Sequence, residues 1–162
     1  MLFFRPIEEL WSMFEKFNSS QVVAIPPNDP NKVNWYQTNA KHPFYGSGGL
    51  NTGVMLMNLT RLRAIGYTSM IENLYKEWNS KIMWGEQDLH NIWLHYHPEN
   101  LYLVPCEWNY RDAHCIHGNV CEGAEKNGIH VLHGVCQRLV TPGKSPELFA
   151  VNNAFKMVII CL

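Results

Sequence analysis

Residues 46–58 read GSGGLNTGVMLMN, and this stretch decides how the chain can fold. Small residues give way to the mainly apolar run 54–58, a pattern that predicts a turn leading into a buried strand. The glycines let a ligand approach the backbone closely, because no Cβ stands in the way. Asn51 and Gly53 are therefore candidate ligand contacts, and the Asn51 amide can both donate and accept hydrogen bonds. A tight turn with a purely structural role is the alternative, and the stretch lacks the Gly-Lys-Ser/Thr ending of a P-loop.

Strand and helix signals alternate on both sides of this turn. Short apolar or β-branched runs predict further strands at residues 21–25, 101–105 and 129–133. Apolar residues at helical spacing predict helices over about 6–17, over 70–78 with Ser69 as the cap, and over 85–96 ending before Pro98. Residues 26–49, rich in Pro, Asn and Gly, are expected to form a long surface loop. This alternation predicts an α/β architecture with a mostly parallel sheet.

The composition limits the classes of function. A chain of 162 residues with 46% hydrophobic and 17% charged residues predicts one folded domain with a packed core. The net charge of -1 argues against a nucleic acid partner. No run approaches the roughly 18 apolar residues of a membrane span, and residues 1–4 do not resemble a signal peptide.

The stretch WGEQDLHN at residues 84–91 places polar residues at a predicted helix start. Glu86, Gln87 and Asp88 fall in the first turn, where backbone N–H groups and the helix dipole favour carboxylates. Capping alone would explain them. With Gly85 allowing a sharp entry and Asn91 one turn further on, the same side chains can also line a pocket of sugar size.

The pair His133-Gly134 follows the predicted strand 129–133. Ligands of open α/β sheets bind beyond the carboxyl ends of the strands, so an imidazole placed there is suited to a divalent metal. An isolated histidine is more often a structural residue, and His133 needs partners to act as a ligand.

Two histidines and two cysteines fall within HCIHGNVC at residues 114–121, with Cys106 upstream. The cluster is compatible with zinc, although tetrahedral sites usually draw ligands from two separated segments. A disulfide between Cys115 and Cys121 is the alternative, and both interpretations make the segment structural first.

At WGEQDLHN, NTGVMLMN and LHG the sequence resembles the retaining glycosyltransferases of family eight, and within them the glucoside xylosyltransferases. The resemblance runs from residue 2 to about residue 134 and includes LFFRPIEELW, KHPFYG and PCEWNYRDAHC. It implies a GT-A-like nucleotide-diphospho-sugar transferase fold of the α/β class, truncated at the N-terminus. Residues 1–150 would form a partial catalytic domain that lacks the first nucleotide-binding segment, and residues 151–162 a poorly matched tail.

The resemblance also implies roles for individual residues. Asn51 and Gly53 match a turn beside the donor sugar. Gln87 and Asp88 match a pair that lines the sugar and acceptor pocket, with the Gln87 carbonyl oxygen facing the anomeric carbon. Glu86 completes the expected catalytic group and stands where the family usually has Asp.

His133 matches the third protein ligand of a manganese ion, and Gly134 beside it is expected at the substrate. The other two metal ligands belong to an Asp-x-Asp motif placed immediately before Leu2, where this sequence has Met1. The chain is thus expected to lack those carboxylates, so that its Mn²⁺ site is incomplete.

The implied donor is UDP-xylose, and the implied acceptor is O-linked glucose on epidermal-growth-factor-like repeats of receptors such as Notch. The complete enzyme would be a type II membrane protein of the Golgi or endoplasmic reticulum lumen, whereas this chain is expected to carry neither the anchor nor a targeting segment. Two alternatives remain: a non-catalytic truncated fragment that binds glycan or a protein partner, and a small zinc module over residues 106–121.

Overall fold

The structure, a computed structural model, describes residues 1–28, 35–116, 120–134 and 137–160. The described residues contain five short strands: β1 (Leu2–Phe3), β2 (Val23–Ile25), β3 (Leu56–Met57), β4 (Leu101–Leu103) and β5 (Val131–Leu132). They form one sheet of order β3-β2-β4 and a second sheet of β1 with β5. The strands lie within the four predicted runs, apart from β1, which the sequence does not predict.

The sheets are not mostly parallel, so this expectation was wrong. Only β2 and β4 run parallel among the strands described, with Val23 opposite Leu101, while β2–β3 and β1–β5 are antiparallel. An apolar run indicates burial but carries no information on the direction of the neighbouring strand. The pair β2–β4 is parallel because several helices separate the two strands in the chain and provide the crossover.

Eight α-helices are assigned in the described residues. They are α1 (Ile7–Trp11), α2 (Trp35–Asn39), α3 (Leu59–Ala64), α4 (Tyr67–Trp78), α5 (Glu86–Tyr96), α6 (Asp112–Ile116), α7 (Glu122–Asn127) and α8 (Pro146–Ile160). Helix α5 follows Gly85 and ends at Tyr96, as predicted. The first predicted helix is split into α1 and the 3-10 helix Ser12–Lys16. Helix α8 continues across residue 150. The division of the chain into a partial catalytic domain, residues 1–150, and a tail, residues 151–162, stays a prediction.

The segment around α3 and α4 differs from the one expected from the sequence. Helix α4 starts at Tyr67 after Gly66, so Ser69 lies inside the helix and is not its cap. Helix α3 was not predicted; its cap is Asn58, whose side chain accepts a hydrogen bond from the Arg61 N–H at 3.0 Å. Asn58 had been assigned to the strand, although its side chain is a common helix cap.

The described part of segment 26–49 is also more than a surface loop. It contains α2, and its side chains Asn28, Tyr36 and His42 are buried. Residues 29–34 lie outside the described part.

The core lies on both sides of β2. Val23 and Ile25 pack into a cluster with Leu50 and Trp93, whereas Ala24 packs into a second cluster on the other side of the sheet. This alternation is expected of a strand covered on both faces. Burial of β2 therefore fixes helix α5 and the turn before β3 against the same face. No helix of the described residues is long and apolar enough to cross a membrane.

The cysteine pairing differs from the expected one. Cys106 is bonded to Cys121, and Cys115 is an exposed free thiol. The sulfur atoms and Glu107 lie within 4.8 Å of one another, but cysteines that are bonded to each other do not offer thiolates to a zinc ion. The predicted pair Cys115–Cys121 is wrong because the fold brings Cys106, the first residue of the 3-10 helix Cys106–Asn109, against Cys121 at the start of α7. Residues 117–119 and Cys136 and Cys161 lie outside the described part.

We expect the disulfide to contribute measurably to stability. Its cysteines are 15 residues apart, and closing a loop of that length restricts the unfolded chain by about 3 kcal/mol. The variant Cys106→Ser should lose about that much free energy of unfolding in urea denaturation. Cys115→Ser, which removes the exposed thiol, serves as the control and should change it by less than about 0.5 kcal/mol. Equal effects of the two substitutions would contradict the assigned pairing.

Buried histidines predict a loss of stability in acid. Burial, together with the charge of Arg111, lowers the pKa of His114 to about 3, and burial also lowers the pKa of His90. Histidine in the unfolded chain titrates near pH 6.5, so below this pH the unfolded state binds more protons and the folded state loses stability. The loss continues until the pH falls through the folded pKa. The contribution of these buried, neutral side chains to the free energy of unfolding is therefore fully present only above about pH 6.5.

The variant His114→Gln tests this prediction. Between pH 7 and pH 5, its free energy of unfolding should fall less steeply than that of the unchanged protein, by up to about 1.4 kcal/mol per pH unit. His42 has a raised pKa and opposes the trend, but it is present in both proteins and cancels in the comparison. Identical slopes in denaturation at several pH values would show that His114 is not buried in its neutral form.

Candidate functional site

The site is built on the first turns of helix α5. Gly85, with φ 59°, adopts a left-handed backbone that favours glycine and lets the chain enter the helix sharply. Gln87, Asp88 and Asn91 are all buried, whereas Glu86 is exposed. Three buried polar side chains at a helix start require partners, and those partners define the site.

Asp88 is completely buried and is surrounded by donors. Its Oδ2 accepts hydrogen bonds from the backbone N–H groups of Met83 and Trp84, both at 2.8 Å, and its Oδ1 accepts one from the Tyr36 hydroxyl at 2.9 Å. His42 Nε2 lies 3.4 Å from Oδ2, a distance that fits an ion pair better than a hydrogen bond. Burial would raise the pKa of Asp88, but these donors outweigh it and lower that pKa.

The pKa of His42 shifts in the complementary direction. Burial would lower it, but the contact with Asp88 and the 2.8 Å contact of Nδ1 with the Pro43 carbonyl outweigh burial and raise it. The contact therefore favours the carboxylate form of Asp88 and the imidazolium form of His42. The pair links the first turn of α5 to the segment after α2.

The Tyr36 hydroxyl connects Asp88 to the rest of the site. It donates to Asp88 and accepts from Gln87 Nε2 at 3.1 Å and from Asn91 Nδ2 at 3.0 Å. Burial and the nearby carboxylate raise the pKa of this phenol, so it keeps its proton. A Cβ at Gly49 would lie 2.4 Å from the Tyr36 ring, so glycine is needed there for the ring to fit.

One side of the turn 50–53 is held by α5. Asn91 imitates a neighbouring strand: its Oδ1 accepts from the Leu50 N–H at 2.7 Å and its Nδ2 donates to the Leu50 carbonyl at 3.0 Å. Gln87 Oε1 accepts from the Thr52 N–H at 3.3 Å, and the Thr52 hydroxyl donates to Glu86 Oε1 at 3.3 Å. Three polar side chains of α5, those of Glu86, Gln87 and Asn91, thus fix the turn.

The other side of the same turn is held by His133. Asn51 Oδ1 accepts from the Gly53 N–H at 3.1 Å and from Asn109 Nδ2 at 2.8 Å. Asn109 Oδ1 in turn lies 2.9 Å from His133 Nδ1. A Cβ at Gly53 would come within 2.1 Å of the imidazole, so only glycine leaves room for the ring. Burial, with the charges of Arg111 and the amino terminus, lowers the pKa of His133 to about 4.

Gln87 and His133 therefore converge on one turn from opposite sides. Of the site residues predicted from sequence, Asn51, Gly53, Glu86, Gln87 and His133 are brought together, and Asp88 lies deeper, beneath Tyr36. Gly134 packs elsewhere: a Cβ at this position would lie 2.2 Å from Leu139 Cγ. The structure thus gives Gly134 a packing contact.

Two central residues were missed by the sequence analysis. Tyr36 fell in a segment assigned to a surface loop, and Asn109 was noted only as part of PCEWNYRDAHC. No local pattern identifies either of them, because each acquires its role from partners far away in the chain. The only available signal was the occurrence of aromatic residues within a segment rich in Pro, Asn and Gly, since solvated loops contain few of them.

Known proteins resemble this chain over most of its length. Glucoside xylosyltransferase 2 of Mus musculus is 46% identical over 83% of this chain and 33% of its own length. Glucoside xylosyltransferase 1 of Homo sapiens is 42% identical over 96% of this chain and 38% of its own length. The chain therefore spans little more than a third of the relatives it matches.

A solved structure supports the fold. The crystal structure of mouse xyloside xylosyltransferase 1 in its apo form superimposes with a TM-score of 0.61 at 24% identity, covering 86% of this chain and 56% of that one. The α/β fold of the GT-A type expected from the sequence is thereby confirmed. A profile described as Glycosyl transferase family 8 matches residues 1–132. The chain belongs to glycosyl transferase family 8.

Proposed function

We propose that this chain is the acceptor-side half of a retaining UDP-xylose:glucoside xylosyltransferase, and that these residues line its sugar site. The observation that carries the proposal is the convergence of Gln87 and His133 on the turn 50–53, each through direct contacts. An amide oxygen on one side and a neutral imidazole on the other suit a donor whose sugar lies near Gln87 and whose diphosphate lies near His133. The named relatives are glucoside xylosyltransferases, which supports xylose as the transferred sugar.

Gln87 is the residue we place at the reacting carbon. Among the residues that the structure describes, its Oε1 contacts only the Thr52 N–H, at 3.3 Å, and an amide oxygen has two lone pairs. The remaining lone pair can stabilise positive charge that develops on the donor sugar as its bond to UDP breaks. Tyr36 holds the other end of the amide, so Gln87 needs no reorganisation when the charge appears.

Asp88 takes a positioning role in this proposal. Both of its oxygens are occupied and the side chain has no exposure, so it does not reach a substrate. It orients Tyr36, and Tyr36 orients Gln87. Glu86 is exposed beside Thr52 and is the carboxylate available to a hydroxyl group of the sugars.

His133 fits one ligand of a divalent metal, which family members generally use. A metal binds neutral imidazole, and the pKa of about 4 keeps this ring neutral at physiological pH. In the antiparallel register of β1 with β5, Leu2 faces Leu132, so the position before Leu2 faces His133. The resemblance places the Asp-x-Asp carboxylates at that position. Bound there, Mn²⁺ would supply Lewis acidity toward the UDP leaving group.

The acceptor that we propose is O-linked glucose on epidermal-growth-factor-like repeats, with the Golgi or endoplasmic reticulum lumen as the compartment. The disulfide Cys106–Cys121 is compatible with a lumen, because disulfides persist in oxidising compartments. The epidermal-growth-factor-like repeats are proposed from the family resemblance alone.

Transfer of xylose tests the proposal most directly. Because the chain covers only part of its relatives, we would join it at Leu2 to the segment that precedes the matching residues in the mouse relative. This chimera should transfer xylose from UDP-xylose to an O-glucosylated repeat in the presence of Mn²⁺. Gln87→Ala should lower kcat by about 10²–10³-fold, because it removes a preorganised group at the developing charge.

Two controls make the result interpretable. Glu72→Ala, an exposed position of α4, should leave kcat unchanged, and thermal unfolding should show that all variants are folded. If the folded chimera binds the acceptor but transfers no xylose, or if Gln87→Ala retains full kcat, the proposed function is wrong.

A further inference from the structure

We propose that Asn109 is a positioning residue that fixes the tautomer of His133, holding the proton on Nδ1 and leaving the Nε2 lone pair for a divalent cation. The inference rests on the proposed function, in which His133 binds the metal. The inference adds Asn109, which is not itself a metal ligand, and specifies the direction of its hydrogen bond with His133.

The hydrogen-bond direction follows from a backbone group. The Gly53 N–H can only donate, so the Asn51 atom that lies 3.1 Å from it must be the carbonyl oxygen. The same oxygen lies 2.8 Å from one end of the Asn109 amide, which must therefore be the NH₂ group. This leaves the carbonyl oxygen as the other end of Asn109.

That oxygen determines which imidazole nitrogen is protonated. Asn109 Oδ1 lies 2.9 Å from His133 Nδ1 and can only accept a hydrogen bond, so Nδ1 must be the donor. A neutral imidazole carries one N–H, and the lone pair then resides on Nε2. The orientation of the Asn51 amide is thus transmitted through Asn109 to the imidazole.

Packing prevents the chain of contacts from rearranging. Asn109 is 1% exposed and Asn51 is 6% exposed, so water does not compete for their amides. Gly53 packs against the Cε1 and Nδ1 edge of the imidazole, where even a Cβ would be too close. Partners of this kind orient metal-binding histidines in proteins, and their loss lowers metal affinity by about 10–100-fold.

Nitrogen NMR of the side chain tests the tautomer directly. In protein labelled with ¹⁵N-histidine at pH 8, His133 should show a protonated Nδ1 and an unprotonated Nε2, with its signals assigned from their absence in His133→Gln. In Asn109→Leu, which has no acceptor, the proton should redistribute toward Nε2. Asn109→Asp keeps an oxygen facing Nδ1 and should retain the original tautomer.

Binding of Mn²⁺ alone to the ¹⁵N-histidine-labelled chimera, which restores the Asp-x-Asp carboxylates, provides the second readout through paramagnetic broadening of the His133 signals. Asn109→Leu should require about 10–100-fold more Mn²⁺ for half broadening, and Asn109→Asp should not. Asn73→Leu, at an exposed position of α4, is the matched control and should match the unchanged protein in both readouts. Thermal unfolding would establish that each variant is folded.

The outcomes separate this inference from the proposed function. A proton on Nε2 in the unchanged protein, or an unchanged tautomer in folded Asn109→Leu, overturns the role of Asn109. If Asn109→Leu does not fold, a proton on Nε2 in the unchanged protein or in Asn109→Asp still overturns the inference, and a proton on Nδ1 in both supports it. If the tautomer is as expected but the chimera does not transfer xylose, the role of Asn109 in setting the tautomer holds and the proposed reaction fails.

Discussion

The carboxylate of Asp88 imposes the strongest constraint on this structure. A fully buried charge is tolerated only when hydrogen bonds and an opposite charge replace the water it has lost. Here the backbone before α5, the Tyr36 hydroxyl and the His42 ring provide that replacement. Satisfying one charge therefore holds residues 36–42 against the start of α5, although the two segments lie far apart in the chain.

The rest of the site follows from that arrangement. Tyr36, once held by Asp88, accepts from both Gln87 and Asn91, and those two side chains fix opposite ends of the turn 50–53. The turn then supports Asn109 and His133 through Asn51 and Gly53. A family that transfers sugars needs a rigid site, and here rigidity comes from buried amide groups that are hydrogen-bonded at both ends.

Local patterns predicted the parts of the structure that depend on local interactions. Helix α5 was predictable because Gly85 and Pro98 bound a single helical period, and β2 because a short β-branched run precedes two prolines. The position of Tyr36 and the pairing of Cys106 were not, since both depend on contacts formed only after the chain has folded. The candidate site was predictable in part because the resemblance singled out Gln87 and His133, whereas Asn109, which neighbours His133, carries no local signature.

The Asn91 side chain shields the backbone of Leu50, at the start of the turn 50–53, from solvent. Its amide pairs with both backbone groups of Leu50, a residue outside the five strands of the described part. A carboxylate of the same shape would preserve the volume but lose every donated bond, so the side chain is constrained by chemistry more than by size. We therefore expect the amide hydrogen of Leu50 to exchange with deuterated water as slowly as one in the middle of a sheet.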